Sequence, residues 1–201
     1  MTAMNKTNRS RGRPRQFDKE QLLAIAQQHF WQHGYEGTSV AELVAAMGIT
    51  PPSLYSAFGS KENLYREVLD RYAAGFGSEM FAGLQQSDAR IAIRQLLMDC
   101  ARLLPQKDHP GGCMISTGML GCHTDQQTLA ADLTQRRSLA KEAIKMKLEQ
   151  SDPPLPEGTD TEALGRFYAA MVQGMSVQAR DGADQAQLEQ LAELAMGSMP
   201  D

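Results

Sequence analysis

The stretch from Ser39 to Phe58, SVAELVAAMGITPPSLYSAF, constrains this chain more than any other part of it. It carries start and stop signals for two short helices joined by a tight turn. Ser39 and Glu42 have the spacing of a capping box, in which each residue satisfies a free N–H of the other. Gly48 ends that first helix. Thr50 can cap the next one, with Pro51 at its first position, where a missing N–H costs nothing. Helices this short are marginal in water and must lean on neighbours. Val40, Leu43, Val44, Ile49, Leu54 and Phe58 are spaced to hold them at a fixed angle, which leaves Thr50, Pro51, Pro52, Ser53, Tyr55, Ser56 and Ala57 near an outer face.

The flanks extend the pattern. Asp18 and Gln21 have capping-box spacing, Leu22, Leu23, Ile25, Ala26 and Phe30 recur at helical intervals, and Gly34 supplies a stop, so a helix is expected over 18–33. Ser60 caps a longer helix running through Leu64, Val68, Leu69 and Tyr72. Further helices are expected over 88–104, 112–122, 125–150, 160–180 and 184–197, with breaks at PQKDHPGG (105–112), SDPPLPEG (151–158) and Asp181-Gly182. Gly75, Gly77 and Gly83 interrupt residues 75–87. No segment alternates with period two between hairpin turns, so the expected fold is all-α. Three parts are expected: a basic arm at 1–17, a helical unit at 18–72 and a larger helical body at 73–201.

The net charge of −4 conceals an asymmetry. Lys6, Arg9, Arg11, Arg13 and Arg15 stand in the first 17 residues without an acid, whereas residues 18–72 hold four basic and seven acidic side chains. A basic end on an acidic body suits a polyanionic partner. No apolar run approaches the roughly 18 residues that span a bilayer, and no signal-peptide core follows the basic start. The three cysteines, Cys100, Cys113 and Cys122, are an odd number without zinc-finger spacing, which fits a reducing cytoplasm.

A short helix, a turn with glycine and a second short helix make a unit whose second helix fits a DNA major groove, although helical hairpins also serve simply as packing devices. The order of segments carries more. Ala26…Phe30…Gly34-Tyr35-Glu36-Gly37-Thr38-Ser39-Val40, then Leu54-Tyr55…Phe58-Gly59-Ser60-Lys61-Glu62-Asn63-Leu64, resembles the signature of the tetracycline-repressor (TetR) family of transcriptional regulators over about residues 18–70. The resemblance implies a helix-turn-helix DNA-binding domain joined to a ligand-binding and dimerisation domain. It implies that Thr38, Thr50, Tyr55 and Lys61 meet phosphates while residues 51–56 face bases, with Ser39 beside Thr38 at the start of the preceding helix. Family members often carry Lys where this chain has Pro51, and His or another bulky group at Ser56 and Ala57. Upstream, Arg11-Gly12-Arg13-Pro14-Arg15 resembles an AT-hook core, an extended Arg-Gly-Arg that lies in a narrow minor groove.

In this family the last two helices pair with their twins, which implies a homodimer on a palindromic operator. Here the interface would draw on Phe167, Met171, Gly174, Met175, Leu188, Leu191 and Leu194, although the same stripes could serve an internal core. A small hydrophobic effector is expected in a pocket built from Leu97, Cys100, Leu104, Cys113, Met114, Met119, Phe167 and Met171. Cys113 and Cys122 could serve a redox role or simply pack, and a zinc site from His109, Cys113, Cys122 and His123 would need a fold-back that the spacing does not specify. No cofactor or metal is expected. A phosphate-binding loop, a nucleophile elbow and a zincin motif are all missing from the sequence, so an enzyme is not expected. The leading expectation is a repressor released from its operator by the effector. The alternative is a ligand-binding or adaptor protein of the same fold without operator recognition, suggested by Pro51, Pro52 and Ala57 on the presumed reading face.

Overall fold

The computed structural model describes residues 18–200, so the arm residues Arg11, Arg13 and Arg15 lie outside the described part. Among the described residues the chain is helical throughout and has no strand. The N-terminal unit comprises α1 (Lys19–His33), α2 (Val40–Met47), α3 (Pro51–Phe58) and α4 (Lys61–Tyr72). Its caps are mostly those the local chemistry dictates. The Ser39–Glu42 box closes, and the hydroxyls of Thr50 and Ser60 accept from the N–H groups of Ser53 and Asn63. Asp18 instead accepts from Glu20 N at 3.0 Å, so the expected box with Gln21 does not form. Gly48 closes α2 at φ +65°, a left-handed conformation that a side chain would disfavour.

Leu43, Val44, Leu54 and Phe58 are buried, and Val40 and Ile49 pack partly buried beside them, so α2 and α3 are locked as the spacing predicts. The interrupted stretch resolves into a π turn (Ala73–Gly77), the short α5 (Ser78–Met80) and a 3-10 turn (Ala82–Gln85). The body follows as α6 (Ala89–Leu103), α7 (Met114–Thr117), a 3-10 turn (Thr124–Gln126), α8 (Gln127–Glu149), α9 (Thr161–Arg180) and α10 (Gln185–Met196). α6 is the centre, burying Ala92, Ile93, Leu96, Leu97 and Cys100; α10 lies against it, and α8 lies against α9.

One expected helix is much shorter than its pattern. The 112–122 segment forms only the single turn of α7, ended by Gly118, and Met119 then adopts φ +52°. Two glycines in four residues weaken the helix. A Cβ at position 118 would also stand 2.6 Å from the Met114 carbonyl and 3.2 Å from the Tyr65 hydroxyl, so this turn depends on a close approach to α4.

An aromatic seam joins the two units. The Phe30 and Tyr65 rings meet edge-on at 4.8 Å, and Trp31 meets Tyr72 and Phe76 edge-on, each at 4.9 Å. His109, from the loop after α6, stacks on Trp31 at 4.4 Å. Each such ring pair adds roughly 0.5–1.5 kcal/mol beyond its burial. Polar ties reinforce the seam. Trp31 Nε1 donates to the Gly112 carbonyl (3.1 Å), and Arg180 on α9 donates to the carbonyls of Trp31 (3.1 Å) and Gln32 (2.8 Å) at the end of α1. The His123 N–H donates to Glu36, and Arg136 on α8 donates to Asp70 on α4. The N-terminal unit is therefore fastened to the body along both α1 and α4.

Candidate functional site

α3 carries no charged side chain. Pro51, Pro52, Tyr55, Ser56 and Ala57 are exposed on it, with Thr50 exposed at its cap, and Ser53 is half-buried. The outer face expected from the pattern is thus present as one contiguous surface. Thr50 Oγ1 and Ser53 Oγ lie 2.9 Å apart, so these hydroxyls are already paired and presented together. Tyr55 projects with 46% of its surface exposed, long enough to reach past the helix backbone.

The residues around α3 divide differently. Thr38 is fully buried, and its hydroxyl donates to the Gly34 carbonyl at 2.8 Å. Its side chain shapes the turn between α1 and α2 and does not face outward, unlike the exposed phosphate contact expected for it. Ser39 is exposed, but its N–H and hydroxyl both bond the Glu42 carboxylate at 2.7 Å. These bonds from Ser39, the backbone one first, hold the Glu42 pKa below its usual range, so a fixed negative charge sits at the start of α2. Lys61 lies over the Tyr35 ring at 4.2 Å. Burial lowers the Lys61 pKa, and Glu36 and Glu42 oppose the shift. Its ammonium is held in place beside the N-terminus of α4, where free N–H groups favour an anion.

The body contains a cavity of about 350 Å³. Its walls come from the end of α4 and the π turn (Tyr72, Ala73, Gly77), α5 and Phe81, α7 with its cap (Cys113, Ile115, Ser116), α8 (Arg136, Arg137, Leu139, Ala140, Ile144) and α9 (Ala169, Val172, Gln173). Most of this wall is apolar. Of the residues expected around a pocket, Cys113 alone lines it. Leu97, Cys100 and Leu104 are completely enclosed in the core around α6. Met114 and Met119 line a second cleft of about 220 Å³ with Phe30, Trp31, Tyr65 and Arg180. Phe167 and Met171 sit on the side of α9 away from the cavity, because Tyr168, Ala169, Val172 and Met175 take the inner face. Sequence reasoning placed a helix over 125–150 but no pocket wall on it; the apolar Leu139, Ala140 and Ile144 interleaved with Arg136 and Arg137 were the available signal.

The cysteines also settle into place. Cys100 is fully buried, and burial drives its thiol pKa far up, which suppresses the reactive thiolate. Cys113 caps α7, with its own N–H donating to the buried Ser176 hydroxyl at 2.7 Å. His109 is committed to its stack on Trp31 and to the Leu103 carbonyl, 3.0 Å from Nε2. Among the described residues no group of three or more His, Cys, Asp or Glu side chains is placed to hold a metal ion. No described helix is long and apolar enough to cross a membrane.

A third surface lies on the outer sides of α9 and α10. Phe167, Val177 and Leu194 are exposed there, Leu194 at 76%, with Met171, Gly174 and Leu191 half-buried beside them. A Cβ placed on Gly174 would touch nothing, so this part of α9 is uncovered. Met175 and Leu188, grouped with this face on sequence grounds, are fully enclosed between α9, α10 and the core. The stripes on both helices thus divide between an inner and an outer side.

Known proteins share this fold. The family model for bacterial regulatory proteins of the tetR family matches residues 22–68. The chain is 34% identical to the HTH-type transcriptional repressor ComR of Escherichia coli K12 over 96% of its own length and 94% of that protein. It is 31% identical to the repressor BdcR of the same organism, over 94% and 93% of the two chains. Its fold superposes with a TM-score of 0.90 on the TetR family transcriptional regulator CifR, solved as a cysteine mutant bound to a 26-base-pair operator DNA; 34% of residues are identical, and the match covers 94% of this chain and all of that one. The capped helix pair of α2 and α3, its seat on α1 and α4, and this near full-length similarity establish that the chain belongs to the tetR family of bacterial regulatory proteins.

Proposed function

We propose that the protein is a transcriptional repressor that binds a palindromic operator as a homodimer in the cytoplasm and leaves it when a small effector enters the body cavity. The observation that carries this is the double role of α4. Its first turn presents Lys61 beside α3, and its last residue, Tyr72, forms part of the cavity wall. Anything that displaces Tyr72 or the π turn acts on one end of a helix whose other end positions α3. Two copies of α3 must reach successive major grooves about 34 Å apart, so a small rotation of each α4 spoils the match. The strength of release is limited by the effector's preference for the released conformation.

The outer face of α9 and α10 supports the dimer, and its centre is testable. Leu194→Asp is expected to convert the dimer to monomers and to weaken operator binding by about 100-fold or more, because two linked half-sites become independent. Light scattering and gel-shift titration measure the two effects. A variant that stays dimeric places the interface elsewhere.

Selection from a random DNA pool tests the proposal as a whole. Enrichment of a two-fold symmetric sequence is expected. A second reading, an effector-binding or adaptor protein without operator recognition, rests on the uncharged face of α3; it predicts a stable dimer that enriches no sequence.

A further inference from the structure

Arg137 lies on the α8 wall of the cavity and has no carboxylate partner among the described residues. Its Nη1 donates to the carbonyls of Ile115 (3.1 Å) and Gly118 (3.0 Å), and Nη2 donates to Thr134 Oγ1 (3.1 Å). The half-buried guanidinium groups of Arg136, Arg66 and Arg71 differ. Arg136, the next residue and also on the wall, bonds Asp132 at 2.9 Å and Asp70 at 2.6 Å; Arg66 pairs with Glu62 and Arg71 with Glu20. Burial lowers the Arg137 pKa, with only the Tyr65 hydroxyl acting against it. Tyr72, on the same wall, has a buried hydroxyl without a well-formed hydrogen bond, its polar neighbours being the Cys113 thiol and the Met114 backbone.

A neutral hydrophobe in this cavity would strip water from Arg137 and supply nothing in return, and an uncompensated buried charge is costly. A guanidinium matches a carboxylate in shape and charge, with two parallel N–H donors for two oxygens. One unpaired cation suits a monoanion; a dianionic phosphate would leave excess negative charge among apolar walls. We propose that the cavity takes an organic monocarboxylate, its carboxylate bound by Arg137 and its aliphatic or aromatic body packed on Phe81, Leu139 and Val172.

This rests on reading the cavity as the effector site, and it also supplies a route for release. The N–H groups that would hold the carboxylate now fasten the Ile115 and Gly118 carbonyls to α8. Gly118 lies against Tyr65 of α4, so an anion that draws Arg137 away loosens α7 from the helix that positions α3.

The test is calorimetric titration of the full-length dimer with matched acids and primary amides: octanoate and octanamide, 4-phenylbutyrate and 4-phenylbutyramide. At least one acid is expected to bind about tenfold more tightly than its amide, equivalent to ~1.4 kcal/mol. Arg137→Met should abolish that preference, and Arg137→Lys should retain part of it. Equal or tighter binding of both amides, no binding of any of the four at millimolar concentration, or an acid preference that survives Arg137→Met overturns the proposal. The wild-type comparison decides even where Arg137→Met folds poorly. Gel shifts run in parallel separate the two ideas. Operator release by amides alone keeps the effector site and removes the anion, whereas selective acid binding without release keeps the anion site and removes the effector role.

Discussion

Deleting residues 1–17 is expected to lower operator affinity by about 100-fold at low salt and to flatten its salt dependence, because the described head supplies little charge of its own. Each neutralised phosphate contributes roughly −0.9 to the slope of log affinity against log salt. The deleted segment holds Lys6, Arg9, Arg11, Arg13 and Arg15, whereas residues 18–72 carry more acids than bases. α3 is uncharged, Glu42 places a carboxylate at the start of α2, and Lys61 and Lys19, held over the Tyr35 and Phe58 rings, are cations beside α3. If the arm neutralises about four phosphates, the slope becomes shallower by roughly 3 to 4. Gel-shift titrations at several salt concentrations measure both quantities. An unchanged slope would mean that the arm is a solubilising tail and that cations elsewhere carry the binding.

Gly112→Ala is expected to be among the most damaging single substitutions, at about 3 kcal/mol or more. The residue sits at φ +78°, where an added Cβ would stand 2.5 Å from the Ser176 carbonyl and 3.3 Å from the Ser176 hydroxyl. The left-handed backbone accounts for roughly 1–2 kcal/mol and the clash with a packed helix for another 1–3. The Gly112 carbonyl also receives the Trp31 indole N–H, and the next residue donates to Ser176, so movement here strains the seam between head and body. For a chain of this size the melting temperature should fall by roughly 6–12 °C. Gly158→Ala is the control, since Gly158 has φ +84° but nothing within 4 Å of its added Cβ. It should cost only the backbone part. Equal losses for the two variants would show that close approach to α9 contributes nothing.

The helix-turn-helix was legible because its determinants are local. Ser39 with Glu42, Thr50 with Pro51, and Ser60 act within one helical turn of themselves, and Gly48 answers a backbone need at its own position. The outer face of α3 followed from the same periodicity. Thr38 was misplaced because its burial depends on how α1 returns to α2, which brings the Gly34 and His29 carbonyls over its hydroxyl. The cavity was largely illegible. An apolar stripe states that a helix face is covered, and it does not state by what. Leu97, Cys100 and Leu104 are as apolar as any pocket residue, yet α6 is surrounded on those sides and no space remains. Met175 and Leu188 were assigned to a partner chain for the same reason, and each is enclosed by its own.

The amino-acid sequence by itself determined the helices of the N-terminal unit, most of their caps, the exposed face of α3 and the separation of a basic arm from an acidic body. Those follow from interactions between residues three or four apart, or from charge alone. Only the tertiary structure decided that Trp31 ties the head to the loop at Gly112, that α4 runs from beside α3 to a cavity, and that Arg137 stands on that cavity's wall without a carboxylate partner among the described residues. These depend on contacts between residues separated by tens of positions, such as Trp31 with Gly112 and Arg180 with the end of α1, and only packing brings such partners together.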